Sequence, residues 1–447
     1  MNNYRTAPLA SPNIPPGIPF IIGNEVAERF SYYGMRAILV VFMTQYLLNS
    51  AGRLDVMSED AAKGYFHLFV SAVYLTPIVG ALIADGILGK YRTIIALSLV
   101  YCLGHFALAI DDSRVGLFIG QTLIALGAGG IKPCVSAHLG DQFGHSNAHL
   151  LGRVYGWFYF AINLGAFSSM LVTPWLLKQY GSEVAFAVPG ILMVMATITF
   201  WSGRHRFAHI RPGGMVFLNE AFSQEGLKIV VRLGIIYLFV AMFWALFDQT
   251  GSSWVLQAQK MDRMIMGYEV LPSQIQAANP LLIMLLVPLF SYGVYPALQR
   301  VVQLTAVRKI SIGLFLTAVA FAIPAWVQMR LDLGQVPHIG WQLLAYLILT
   351  SAEVMVSITC LEFSYTQAPK TMKSFIMAFF MLSVALGNLF TSAVNFFIQN
   401  EDGTSKLAGA DYYWFFTVLM LITAILFLFV AKNYKERTYF HDEYPAF

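Results

Sequence analysis

The run from about Pro19 to Leu48 is long and apolar enough to cross a bilayer, yet its first part carries Glu25, Glu28, Arg29 and Arg36. A charge turned to lipid costs several kcal/mol, so these side chains must face a protein interior or a water-filled cavity. At about 100° per residue, Glu25, Glu28, Arg29, Tyr32, Tyr33 and Arg36 share one face of a helix, whereas Phe30, Ser31, Ile38 and Val41 point elsewhere. A Glu25–Arg29 pair, one turn apart, would neutralise itself without any function. Two acids, two arginines and two tyrosines on one face exceed that need. The stripe predicts the lining of a polar pathway through a membrane.

The rest of the chain fits such a setting. Only 12% of its residues are charged and 57% are hydrophobic, against about 25% charged in a soluble domain. Its apolar runs divide into twelve spans, at roughly 18–48, 62–88, 93–110, 115–140, 147–177, 184–202, 228–257, 279–303, 306–328, 340–368, 372–399 and 410–432. The expected fold is an all-α polytopic membrane protein, with twelve transmembrane helices in two six-helix bundles. The bundles are 18–202 and 228–433, joined by the basic linker 203–227 and flanked by tails 1–17 and 434–447. An excess of Lys and Arg on the side of both termini predicts cytoplasmic termini in an inner membrane. The proline-rich first 19 residues lack the pattern of a cleaved signal and are expected to form a disordered tail. Cys102, Cys134 and Cys360 sit singly in apolar helices and are expected to be buried small hydrophobes. His205 and His209 are one turn apart, but no acid or cysteine joins them, so a solvated basic loop is expected there rather than a metal site. The expected surroundings are a lipid bilayer, with the chain working as a monomer and no nucleic-acid partner.

Three stretches carry a family resemblance. Glu25-Val26-Ala27-Glu28-Arg29-Phe30-Ser31-Tyr32-Tyr33-Gly34 resembles the first-helix signature of the proton-dependent oligopeptide transporters, a branch of the major facilitator superfamily. Gly80 to Arg92, continued through Thr93, Ile94, Ser98 and Gly104, is similar to the first of that family's two longer signatures. Tyr155-Gly156-Trp157-Phe158-Tyr159-Phe160-Ala161-Ile162-Asn163-Leu164-Gly165-Ala166-Phe167 is similar to the second. The resemblance runs over almost the whole chain and is to the bacterial type. It implies symport of di- and tripeptides with protons as the coupling ion, by alternating access, with no cofactor, no metal and no enzymatic activity.

What the resemblance implies can be laid on single residues. Glu25, Glu28, Arg29, His67 and Glu353 are the proton-coupling candidates. Tyr32, Tyr33, Arg36, Tyr74, Lys132, Tyr159, Asn163, Trp244, Asn279, Glu353, Ser357 and Phe380 are the substrate candidates. Phe380 stands where the family usually has a tryptophan. Gating falls to Asp85, beside Lys90 and Arg92, to Asp248 as the partner of Arg36, and to Glu362 with Lys373. Chemistry gives the same division. A zwitterionic peptide needs cations for its carboxylate, here Arg36 and Lys132, and an anion for its ammonium, here Glu353. His67 has a bland alternative, a histidine satisfied by a neighbouring carbonyl or hydroxyl, and Asn279 has another, a helix N-cap. The alternatives are a related proton-coupled carrier of nitrate or another small solute, with the ExxER acids and Glu353 together favouring an ammonium-bearing substrate instead, and a non-transporting peptide sensor, which would share the binding residues. No hydrolase or metalloprotease motif appears at membrane depth.

Overall fold

A computed structural model of the chain describes residues 4–49, 51–212, 214, 223–367, 373–400, 402 and 404–434. Helix starts are set by hydroxyl caps, which satisfy the first free backbone N–H groups. Ser58 caps α2 (Glu59–Ile83), Ser113 caps α4 (Arg114–Gly140), Ser223 caps α7 (Gln224–Phe247) and Thr305 caps α9 (Ala306–Asp332). The other long helices are α1 (Ile18–Gln45), α3 (Lys90–Ile110), α10 (Gly340–Glu353), α11 (Lys373–Ile398) and α12 (Ala410–Asn433). The helical stretch Leu151–Ser202 breaks at Gly181, whose φ of 83° suits glycine alone, into α5 (151–180) and α6 (182–202). α8 (Ala278–Leu289) continues through a π turn, Phe290–Val294. Between α7 and α8 lie the 3-10 turn Asp248–Gly251, the short helix Ser253–Ala258 and a two-strand ribbon, β1 (Met264–Ile265) and β2 (Tyr268–Glu269).

Among the described residues, ten helices are long and apolar enough to cross a membrane. That set leaves out α1, because of its charges, and takes α5 and α6 as one. Counting these separately gives the twelve spans read from the sequence. Each half of the chain forms its own apolar core. In the first, α1 packs on α5 and α6, and α4 on α2 and α3. Glycines set the α2–α4 distance: a Cβ on Gly80 would strike the Gly130 carbonyl, and one on Gly129 would strike Thr76. In the second, α9 packs on α10 and α12.

With an even number of spans, the start of α1 at Ile18 and the end of α12 at Asn433 lie on one face, here called the terminal face. Hydrogen bonds between the bundles gather toward the opposite, far face. Ser71 donates to the Ala385 carbonyl at 2.8 Å, Ser392 to Gly64 at 2.8 Å, Gln276 to Ala37 at 3.1 Å and Gln274 to Leu171 at 2.8 Å.

The amino-terminal segment departs from expectation. Residues 4–17 are not a free tail but lie against the terminal face of the first bundle. Arg5 bridges to Ala208, and the His209 N–H donates to the Arg5 carbonyl at 2.7 Å. Tyr4 stacks on His209 with ring centroids 4.3 Å apart, and Asn147 donates to the Asn13 carbonyl at 3.2 Å. The chain after α6 supplies backbone and ring partners that no local pattern in residues 4–17 foretells. The same packing corrects the reading of the linker: Phe207 is fully buried, and burial holds the half-buried His209 below the ordinary histidine pKa.

Candidate functional site

A cavity of about 180 Å³ lies between the bundles, near mid-depth. Its first-bundle wall holds Tyr33, Arg36, Tyr74, Tyr159 and Asn163. The second-bundle wall holds Trp244, Asp248, Asn279 and Glu353. The volume equals roughly six waters at about 30 Å³ each.

Glu353 stands at the end of α10, where the helix gives way to the π turn Val354–Ile358. Asn279 donates to its carboxylate at 2.7 Å and to Thr350 at 3.2 Å. Asn279 is therefore a bridge from α8 to α10, and the cap of α8 is Ala277. Ser357 departs from expectation: it lies within the π turn, about one turn on from Glu353, but is not part of the cavity wall. Phe380 is corrected too: it is buried in the second core, its ring 5.7 Å from that of Tyr237, and does not reach the cavity. Trp244 does, packed edge-on against Phe243 and Phe247, with its indole N–H unpartnered.

Across the cavity, Arg36 donates to Asp248 in a buried ion pair between the bundles. Its Nε has no partner, and its guanidinium lies 5.4 Å from the Phe66 ring centroid. Asn388 donates to the other Asp248 oxygen at 2.7 Å, and its own Oδ1 lies 2.7 Å from His67 Nδ1. The second His67 nitrogen meets Ser252 Oγ at 2.8 Å. His67 is thus satisfied by side chains, both from the opposite bundle. Because Asn388 Oδ1 can only accept, His67 Nδ1 carries the proton of that bond. Asn388 and Ser252 were not singled out from sequence. The signal for Asn388 was present in Asn388, Thr391, Ser392 and Asn395, a polar row at helical spacing in an apolar span, all buried.

Lys132 lies behind the cavity wall, its Nζ 3.9 Å from the Tyr74 ring centroid and 4.5 Å from that of Tyr32. Tyr32 is fully buried, with its hydroxyl unpartnered. In α1, Arg29 Nε donates to Glu25 at 2.6 Å and lies 2.9 Å from Glu28 Oε2, without the alignment of a hydrogen bond. Asn163 donates to the Tyr159 carbonyl of its own helix at 2.9 Å.

The gating candidates near the terminal face divide differently from expectation. Lys90 pairs with Asp141 at 2.7 Å rather than with Asp85. Glu362 is exposed, and the Lys373 side chain lies outside the described residues, as do Ala368, Pro369 and Met372.

The POT family model matches residues 91–224 and 215–415 of the chain. Among curated relatives, peptide transporter family 1 of Drosophila melanogaster is 38% identical over 365 residues, 71% of this chain and 48% of the relative. Human solute carrier family 15 member 2 is 36% identical over 374 residues, 72% of this chain and 50% of the relative. The chain spans about half the length of these curated relatives. Two solved structures match over nearly their full length. The POT family transporter PepTSo has a TM-score of 0.85 at 36% identity, covering 94% of this chain and 98% of that one. An auto inhibited POT family peptide transporter has a TM-score of 0.86 at 35% identity, covering 96% and 99%.

Proposed function

Since this chain belongs to the POT family, we propose that it carries di- and tripeptides across the cytoplasmic membrane together with protons, by alternating access. The terminal face is the cytoplasmic one in this reading, so the structure has its outer side sealed by the far-face hydrogen bonds. One observation carries the substrate class. Among the described residues, Glu353 and Lys132 are charged groups near mid-membrane that join no ion pair: Glu353 is held by an asparagine and Lys132 by two tyrosine rings. Charges at that depth are costly unless function retains them. A peptide ammonium completes Glu353. The peptide carboxylate completes the remaining donors of Arg36, with the Lys132 charge behind the Tyr74 ring adding to the attraction. Tyr33, Tyr159 and Asn163 supply hydrogen-bonding groups for the amide between, and Trp244 an apolar wall. A ligand held by both bundles favours the occluded state over either open one. Glu25, Glu28 and Glu353 are the candidate proton carriers, and His67 joins them at the interface.

The test uses the purified chain in liposomes. A dipeptide should accumulate when the outside is acidic and should exchange by counterflow without any gradient. Absence of both dipeptide counterflow and pH-driven uptake would overturn the reading.

A further inference from the structure

The first helix has a second polar flank, turned away from the peptide cavity. At about 100° per residue, Asn24, Glu28 and Ser31 lie within roughly 60° of one another, with Glu28 on the border of the charged stripe. This flank meets α3 and α6. Ser31 donates to the Pro189 carbonyl at 2.7 Å and lies 2.8 Å from His105 Nε2. Gly190 permits the approach, since a Cβ there would stand 3.0 Å from the His105 Cβ. The single Ser31 hydroxyl proton goes to Pro189, so His105 Nε2 must donate and Nδ1 is a bare acceptor.

That acceptor has no partner, and its neighbours share the condition. The Tyr101 ring stacks on His105 at 5.1 Å, and its hydroxyl, turned toward Ser31, makes no hydrogen bond of good geometry. Both amide atoms of Asn24 are unpartnered, and neither Glu28 oxygen makes an aligned hydrogen bond. All four residues are at most 1% exposed. At about 1.5 Å of rise per residue, Glu28 lies roughly 4.5 Å and Asn24 roughly 10.5 Å from Ser31 toward the terminal face. Tyr101 lies about 6 Å from His105 in the same direction. Folded proteins leave few buried polar atoms unpaired, and buried water is their usual extra partner. The donors and acceptors are mixed here, which suits water. An anion would meet Glu28, and a cation would meet Arg29.

We propose that a file of buried waters fills this seam between α1, α3 and α6, and that the Glu28 proton is released through it to the terminal side without entering the peptide cavity. The inference rests on the reading of Glu28 as a proton carrier. The Glu28 carboxylic acid gives its proton to the adjacent water and remains as a carboxylate beside Arg29. Each water takes one proton and passes one on, past Asn24, ending neutral. His105 Nδ1 anchors the inner end of the file. The groups facing Glu28 are Glu25 and Arg29 on its own helix, Lys132 on α4 and Tyr101 on α3.

The experiment compares wild type, Glu28→Gln, Asn24→Leu, Asn24→Ser and Tyr101→Phe as full chains in liposomes, with thermal unfolding alongside. Asn24→Leu should slow proton-driven dipeptide uptake about tenfold or more while counterflow stays within about twofold. Asn24→Ser, which leaves room for a water, should restore uptake. An Asn24→Leu chain with a raised Tm and wild-type proton-driven uptake would overturn the seam, because its polar groups would then be dry. If Asn24→Leu loses counterflow as well, Tyr101→Phe decides: a shifted pH profile of uptake supports the seam and an unchanged one overturns it. Full proton-driven uptake in Glu28→Gln would instead overturn the assignment of Glu28. Its loss, beside wild-type uptake in Asn24→Leu, would overturn the seam alone.

Discussion

Two ion pairs join the bundles among the described residues, and they differ in worth. Lys260–Glu59 is half exposed on both sides and 3.0 Å long, a kind of pair that contributes about 0–1 kcal/mol. Arg36–Asp248 is buried, at 9% and 3% exposure. Asp248→Asn keeps the shape of the side chain and deletes its charge, leaving Arg36 uncompensated while the far face is closed. Removing one partner of a buried pair costs about 3–5 kcal/mol. When the far face opens, both groups meet water, and most of that penalty vanishes. The variant should therefore shift the closed-to-open ratio by about two to three and a half decades, at about 1.4 kcal/mol per decade. Even if the Phe66 ring and admitted water recover half of the penalty, about a decade remains. Spin labels at Leu54 and Val336, on far-face loops of opposite bundles and 68% and 66% exposed, report the change in a chain with Cys102, Cys134 and Cys360 replaced. Double electron–electron resonance in lipid nanodiscs should show a longer-distance population in Asp248→Asn. An unchanged distance distribution together with unchanged dipeptide counterflow would show that the pair does not hold the far face closed.

Glu25→Gln or Glu28→Gln should abolish pH-driven accumulation and spare some peptide exchange; full proton-driven uptake in both variants would remove these acids from coupling. Recognition of both peptide termini predicts that acetylated or amidated dipeptides compete far more weakly than free ones, by about 2–5 kcal/mol. Exchanging Ala for Phe in the peptide should change competition by only about 1–3 kcal/mol, and the acetylated peptide should lose little further affinity in Glu353→Gln. Equal competition by blocked and free peptides would refute the two-ended clamp. Asn388→Leu leaves His67 Nδ1 and an Asp248 oxygen unpaired, at about 1–3 kcal/mol for each orphaned group. It should lower the unfolding temperature, and an unchanged Tm would mean that these bonds add nothing to the closed state.

The long-range frame was legible because the bilayer dictates span length. The stretch expected at 18–48 is helical over Ile18–Gln45, and that expected at 372–399 over Lys373–Ile398. The charged face of α1 was legible because lipid forbids any other placement of its side chains. Three features were not. The π turn after Glu353 carries no residue signature, and Ser357 within it lies outside the cavity wall. Phe380 fits an apolar core as well as a cavity wall, so only packing against Tyr237 decides its place. Residues 4–17 owe their order to partners near Asn147 and Ala208, more than a hundred residues away.

The pairing of Arg36 separates two roles that the sequence left together. Arg36 was the natural cation both for Asp248 and for a peptide carboxylate, yet in this structure Asp248 holds it. Lys132, held only by ring faces, is the cation with bonding capacity to spare. On the proposed reading, a carboxylate in the cavity, attracted by the Lys132 charge behind it, draws on the unpartnered Nε of Arg36 and competes with Asp248 for the guanidinium. Asp248 keeps one donor when that happens, the amide of Asn388, and the same amide oxygen faces His67. A loosened Arg36–Asp248 bond therefore strengthens the demand on the Asn388 donor and fixes the amide against His67. Gate and histidine are joined by hydrogen bonds that share the side chains of Asp248 and Asn388, so neither can change its partners without altering the free energy of the other.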